Sequence, residues 1–223
     1  MTDFDPYRER RLFGRPLTLE PQATAVLVID MLNDFCHQEG LLGNPDSLAL
    51  CEKQSQILNS VRHSGGRVVF VNEQHRPNLR PRSNFARRMS HSREGTWGSE
   101  VVASLKVEDS DIVVIKRRYS GFFESDLDLV MRDCGLRHAI LVGVLTNICV
   151  RATAHDAFFR GYDVVVPEDA VGAMSPLEQL SALYDISTHF GWVTTTAATV
   201  EALEARAPIE NMDVVLSAAM NER

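Results

Sequence analysis

The sequence predicts an α/β fold of three layers, with a central six-stranded, mostly parallel sheet between two layers of helices. Three observations carry that prediction. Short apolar runs alternate along the chain with segments of helical spacing, the pattern that builds parallel sheets through helical crossovers. The runs are near-continuous in Val, Ile and Leu rather than alternating, as for strands buried on both faces. Three of them end at residues able to do chemistry: Asp30, Lys116, and the short turn before Cys149. Right-handed crossovers put all carboxyl ends of such strands on one edge, where open α/β sheets bind ligands.

Residues 1–22 read as a polar arm, residues 23–205 as one domain and residues 206–223 as a tail without a readable pattern. The first strand is AVLVID, Ala25 to Asp30. Asn44-Pro45 can open a helix, because proline is favoured at its first position. Leu48, Ile57, Leu58 and Val61 then mark its apolar stripe, and Gly65-Gly66 stops it. Val68 to Val71 is strand two, ending at Asn72. From Glu73 to Gly98 there is little periodicity, and a loop this long is often a lid or a binding loop. Asp111 to Lys116 is strand three. A helix follows Phe123, with Ser125 as N-cap and Gly135 just beyond its end.

Strand four is Ala139 to Val144, interrupted only by Gly143. After the polar pair Thr146-Asn147 a helix runs from about Cys149 to Arg160. Asp163 to Val166 is strand five. Pro176 to about His189 is a helix, Trp192 to Thr194 a sixth strand, and Thr199 to about Ala205 the last helix.

The 223 residues are enough for one α/β domain with a large core, needing neither metal nor disulfide. The net charge of −7 argues against nucleic acid, which needs a basic face. The clusters Arg8-Glu9-Arg10-Arg11 and Arg87-Arg88 read as solvated loop charges. Cys36, Cys51, Cys134 and Cys149 form no CxxC pair, so neither a zinc knuckle nor a thioredoxin motif is expected. The opening MTDFDPYRERRLF has no apolar signal core, and no run approaches the ~18 apolar residues of a membrane span. The expectation is a cytoplasmic protein with free thiols and no membrane partner.

A thiol at the start of a helix, a carboxylate and an ammonium on one sheet edge make a nucleophilic site. Cys149 would attack an electrophilic carbon. Lys116 would hold the thiolate by charge and lower its pKa, as would the helix N-terminus. Asp30 would take the thiol proton, pass it to the leaving amine and later activate water. The backbone N–H groups from Leu145 to Cys149 would serve as an oxyanion hole. Each residue alone has a plainer reading, as a small buried cysteine, a turn aspartate or a solvated lysine. Three strand ends bearing all three is what raises the catalytic reading.

These segments resemble the isochorismatase-like cysteine hydrolases. The matching pieces are AVLVIDMLNDF (25–35), VIKRRYSGFF (114–123), GVLTNICVRATAHDAFFRGYDVVVPEDA (143–170) and FGWV (190–193). The resemblance implies a Rossmann-like three-layer hydrolase with Asp30, Lys116 and Cys149 as catalytic groups. It implies a non-proline cis peptide at Val144-Leu145, oxyanion donors at Leu145 and Cys149, and a homo-oligomer, dimer or tetramer. The thiol favours amide cleavage over vinyl-ether cleavage.

KRRYSGFF, EGTWG (94–98) and FGWV are most similar to the ureidoacrylate amidohydrolase branch, which implies that Asn72 and Tyr119 contact the substrate. A side-chain amide and a phenol suit the carbonyl and NH₂ of a ureido group. Phe35, Trp97, Phe122 and Phe123 are candidate pocket walls, with core packing as the equal alternative. Arg76, Arg82 and Arg117 are unranked candidates for a substrate carboxylate. Nicotinamidases of the same family carry a metal on a D-x-H motif after strand two plus a further His. Glu73, His75 and His91 have a similar spacing and a donor set suited to Zn or Fe, but Glu replaces Asp. The expectation is therefore no metal or other cofactor. The sequence-level function is a cysteine amidohydrolase acting on a small ureido or carbamoyl compound. The alternatives are a biuret, N-carbamoylsarcosine or nicotinamide amidase, a non-catalytic binding module, or a redox-sensing thiol.

Overall fold

The structure is a computed structural model of the chain and describes residues 14–79 and 90–214. The basic clusters near Arg10 and at Arg87-Arg88, and Arg82, lie outside the described residues.

Among the described residues seven strands form one sheet: β1 (Thr24–Ile29), β2 (Arg67–Glu73), β3 (Ile112–Lys116), β4 (His138–Val144), β5 (Asp163–Pro167), β6 (Val171–Gly172) and β7 (Trp192–Thr194). Their order is β3-β2-β1-β4-β5-β7, with the two-residue β6 paired to the end of β4. Every named pair is parallel. The seventh strand went unread because two residues carry no periodicity. The chain reverses direction across the sheet between β3 and β4, so β1 and β4 lie side by side at the topological switch point. That is where ligands bind in such sheets.

The helices are α1 (Asn33–Cys36), α2 (Cys51–His63), α3 (Leu127–Asp133), α4 (Arg151–Phe159), α5 (Pro176–Asp185) and α6 (Thr196–Glu204). Alternate residues of the strands feed two cores. Val26, Val28, Phe70, Ile140 and Val142 pack with Ile57, Leu58 and Val61 of α2 and with Ala202 and Leu203 of α6. Leu27, Ile29, Val71, Val114 and Leu141 pack with Leu127 and Met131 of α3, Ala154 and Ala157 of α4 and Leu183 of α5. Helices thus cover both faces of the sheet, as the unbroken apolar runs require. Each fully buried Val, Leu or Ile contributes roughly 1.5–3 kcal/mol of transfer free energy.

Element boundaries moved by one to three residues. Pro45 opens a single-turn helix, Pro45–Leu50, which leads into α2. Asp126 rather than Ser125 stands at the N-cap of α3, while the Ser125 hydroxyl accepts from the Leu127 N–H at 3.2 Å. The helix after Cys149 and the one after Pro176 each contain one wide turn, Thr146–Val150 before α4 and Ile186–Phe190 after α5. The segments read as arm and tail pack on the domain where they are described. Leu17 and Ile209 form an antiparallel bridge, and the Trp192 indole donates to the Arg15 carbonyl at 2.9 Å. Among the described residues no helix is long and apolar enough to cross a membrane.

Candidate active site

The three candidate groups Asp30, Lys116 and Cys149 are brought together from three strand ends. β1 stops at Ile29, and Asp30 follows with φ of 52°, a left-handed conformation uncommon outside glycine. The bend directs its carboxylate toward β2 and β3. Asp30 Oδ1 accepts the backbone N–H of Glu73 at 2.7 Å, and Oδ2 lies 2.8 Å from Lys116 Nζ. Lys116 ends β3 in register with Glu73 on β2, so the two side chains share a face. Its ammonium also donates to the Arg118 carbonyl at 3.1 Å and lies 3.7 Å from Cys149 Sγ.

Cys149 sits in the wide turn Thr146–Val150, not at the first residue of a regular helix. The Val144–Leu145 peptide before it is cis. The Leu145 carbonyl then accepts from both the Ile148 and Val150 N–H groups, at 3.1 and 3.2 Å. Gly143 accounts for the break in the apolar run. Its φ is 115°, and a Cβ there would come within 2.0 Å of the Ile29 carbonyl oxygen. Only glycine allows β1 and β4 to approach this closely just before the nucleophile turn.

All three groups are buried. Burial raises the Asp30 carboxyl above its usual range, with Lys116 opposing and Glu73 adding to the rise. Burial also works against the Lys116 charge, but Asp30, the thiol and Glu73 outweigh it and raise the ammonium pKa. The Cys149 thiol is raised well above its ordinary value, chiefly by burial, which Lys116 only partly offsets. This corrects the sequence expectation of a depressed thiol pKa. Burial favours the neutral thiol, and the lysine limits the rise that desolvation imposes.

Two residues here were not anticipated. Glu73 was read only as a possible metal ligand, yet its Oε2 is 3.6 Å from Lys116 Nζ and its N–H holds Asp30. The signal was its place opposite Lys116 at the end of the neighbouring strand. Burial raises the Glu73 carboxyl, but a hydrogen bond from His75 and the Lys116 charge prevail, leaving its pKa at about 2. Thr153, one helical turn beyond Cys149, donates to the Cys149 carbonyl at 2.7 Å and accepts the Gly121 N–H at 3.0 Å. It ties the nucleophile turn to the loop after β3.

The other candidates divide. Tyr119 is half-buried and shares a cavity wall with Asn147 and Ile148 of the nucleophile turn. Asn72 is buried, with its Oδ1 lacking a hydrogen-bond partner. Phe35 packs on the His91 ring at 5.1 Å, and Trp97, half exposed, on the His37 ring at 5.4 Å. Phe122 is committed to packing, stacked on Tyr162 at 5.8 Å with the Arg160 guanidinium 5.0 Å above its centre. Phe123 is half exposed. Arg117 is held by Glu94 at 2.6 Å and donates to the Gln74 carbonyl at 2.7 Å, while Arg76 is exposed.

Residues 90–99 are fastened over the strand ends. Asp34 Oδ2 accepts the Ser92 N–H at 2.6 Å, and the Asn33 amide donates to the Trp97 carbonyl at 2.8 Å. The fastening brings His91 to His75, with ring centres 5.1 Å apart. One ligand atom each of Glu73, His75 and His91 lie within 4.8 Å of one another, all three residues buried. His91 Nδ1 has no hydrogen-bond partner among the described residues, and burial lowers the His91 pKa, favouring the neutral imidazole that metals bind. A carboxylate with two imidazoles fits a divalent cation such as zinc.

Known proteins share this fold. The chain is 35% identical over 206 residues to ureidoacrylate amidohydrolase RutB of Caulobacter segnis, covering 82% of this chain and 86% of that protein. The crystal structure of a cysteine hydrolase from Pseudomonas syringae pv. phaseolicola 1448A superposes with a TM-score of 0.79 at 27% identity, covering 87% of this chain and all of that one. N-carbamoylsarcosine amidase from Thermoplasma acidophilum superposes with a TM-score of 0.69 at 33% identity, covering 78% of this chain and 96% of that one. Residues 24–198 match the model of the isochorismatase domain, and the chain belongs to the isochorismatase family.

Proposed function

We propose that the protein is a cysteine amidohydrolase that cleaves a C–N bond of a small ureido or carbamoyl compound through a thiol-acyl intermediate. As a member of its family it is a hydrolase of non-peptide C–N bonds. The observation that carries the thiol mechanism is the position of Lys116, 2.8 Å from Asp30 and 3.7 Å from Cys149. The names of the RutB and N-carbamoylsarcosine amidase relatives support the substrate class.

The neutral resting thiol assigns the first step to a base. Asp30, its pKa raised by burial, takes the Cys149 proton as sulfur attacks the carbonyl carbon. Lys116 balances the charge that forms. The oxyanion is received by the backbone N–H groups of Leu145 and Cys149. As the tetrahedral adduct collapses, Asp30 returns its proton to the leaving nitrogen and ammonia or an amine departs. Water, deprotonated by Asp30, then attacks the thiol ester or thiocarbamate, and sulfur leaves with the proton. A carbamate product decomposes to CO₂ and an amine. Asn72 and Tyr119 are the side chains assigned to the ureido group.

A second reading is favoured by the buried Glu73, His75 and His91 cluster. In an amidase of the nicotinamide type these three residues would hold a divalent cation, which when bound polarises a carbonyl as a Lewis acid.

The deciding experiment is an ammonia-release screen over ureido acids, biuret, carbamoyl amino acids and nicotinamide, with the wild type and Cys149→Ser. Turnover of a ureido or carbamoyl compound is expected, falling about 10³-fold or more in the variant while its melting curve is kept. Full activity in Cys149→Ser would sink the thiol mechanism, and turnover of nicotinamide alone would favour the second reading.

A further inference from the structure

The cavity beside the nucleophile turn carries polar groups that the bond-breaking steps do not use. It has a volume of about 480 Å³, within the range of small-ligand sites, and lies along the outer face of α4. At one end are Tyr119, three residues past Lys116, and Asn147 and Ile148, in the turn that carries Cys149. From there it continues along Arg151 and His155, one helical turn apart on the same face. The cavity therefore begins beside the two segments that deliver the lysine and the thiol.

Asn147 Oδ1, Arg151 Nε and His155 Nε2 are buried and have no hydrogen-bond partner among the described residues. Leaving one such group unsatisfied is costly, and three around one cavity point to a ligand that completes them. Among the described residues Arg151 is the only permanent cation lining the cavity. Asp185 on α5 pairs with its Nη2, fixing the guanidinium and leaving the Nε edge for another acceptor. The carboxylate on the wall, Asp156, is already engaged by the Ser120 hydroxyl at 2.5 Å and by Arg160 at 3.4 Å. Burial and the Arg151 charge lower the His155 pKa and favour its neutral form, and its ring packs tilted against Phe190 with centres 3.8 Å apart. A neutral imidazole so held still donates one N–H.

We propose that this cavity receives the end of the substrate remote from the scissile bond, and that Arg151 with His155 recognises a carboxylate there. The proposal rests on the amidase reading and narrows its substrate class to ureido or carbamoyl acids over their neutral counterparts. In a chain of net charge −7, a site for a small anion needs such a local cation.

Calorimetric binding to the Cys149→Ala protein tests this without turnover, using N-carbamoylglycine and its neutral amide, N-carbamoylglycinamide. The acid is expected to bind about tenfold tighter than the amide, the value of one charge-assisted hydrogen bond. Adding Arg151→Gln is expected to weaken the acid to the level of the amide and to leave the amide within about threefold. Arg151→Lys, which keeps the charge but not the fork, is expected to retain part of the preference. Melting curves confirm that each variant is folded. Equal affinities for the two compounds in the Cys149→Ala protein, no binding of the acid, or equal losses for both in Arg151→Gln would overturn the subsite. The amidase reading is judged separately: it fails if the wild-type enzyme releases ammonia from no compound in the screen, whatever the binding preference.

Discussion

The Lys116 ammonium stands between the Asp30 carboxylate, 2.8 Å away, and the Cys149 sulfur, 3.7 Å away, with all three residues buried. In this geometry Lys116 faces a carboxyl and a thiol whose pKa values burial raises, and its charge opposes the rise in each. Burial dominates the thiol, so ionisation of Cys149 depends on its neighbours in opposite senses.

Alkylation of Cys149 by iodoacetamide is therefore expected to show a pH midpoint above the ~8.5 of a free thiol. Lys116→Met should move that midpoint further up, because the ammonium is what holds it down. Asp30→Asn should move it down, because the carboxylate opposes a second negative charge. The sign for stability follows. Folding raises this pKa, so the folded state holds the proton more tightly than the unfolded chain. The resulting stabilisation is present below pH ~8.5 and is lost as pH rises toward the folded value. A midpoint that falls in Lys116→Met would contradict the assignment.

Lys116 also balances two buried carboxylates, Asp30 and Glu73 at 3.6 Å. Replacing it with methionine leaves both without their cation. Breaking a buried pair on one side costs about 3–5 kcal/mol. Urea denaturation of Lys116→Met should show a loss of that order, part of which returns in Asp30→Asn/Lys116→Met. A variant as stable as the wild type would mean that the carboxylates take up protons or water at little cost.

The fold and the meeting of Asp30, Lys116 and Cys149 were legible for the same reason. Ala25 to Ile29 and Ala139 to Val144 are buried on both faces, so they appear as unbroken apolar runs, and their ends mark the edge where chemistry collects. Asp30, Lys116 and Cys149 each follow or close such a run. The state of the thiol was not legible, because burial depends on how α4, β4 and the loop after β3 close around it. Glu73 was hidden by its neighbours: Glu73-Gln74-His75 looked like a ligand motif, while its contact with Lys116 is set by the pairing of β2 with β3. Arg151 lay within a recognised segment, but the cavity beside it exists only once Tyr119 and α4 are brought together.

The Glu73, His75 and His91 cluster makes metal content a decisive measurement. Glu73 already has Lys116 near one oxygen and His75 Nε2 at 3.1 Å from the other. In the proposed mechanism Asp30, Lys116 and Cys149 supply base, charge and nucleophile by themselves. Dialysis against a strong chelator is accordingly expected to leave ammonia release within about twofold of the starting enzyme, an energy difference near 0.4 kcal/mol and within ordinary scatter. A stoichiometric metal by elemental analysis, with activity lost to the chelator and restored by the cation, would replace the thiol-only reading with the cation-assisted one.

Gly143 links fold to chemistry most directly, because it stands one residue before the cis peptide and opposite Ile29 on β1. Gly143→Ala introduces two faults at once. A φ of 115° is unfavourable for any residue with a side chain, and the new Cβ would meet the Ile29 carbonyl oxygen at 2.0 Å. Relief requires β1 and β4 to part, and Asp30 and the Cys149 turn are the next features on those two strands. The variant is expected to lose about 2–4 kcal/mol of stability, the sum of a strained backbone and an overpacked contact. Whatever folded protein remains should have a kcat reduced by more than its melting shift explains, since a displacement of about 1 Å between reacting groups costs roughly 100-fold. Calorimetry and single-turnover rates on the same preparation separate the two effects. Unchanged stability with unchanged turnover would show that the two strands can part without moving Asp30 away from Cys149.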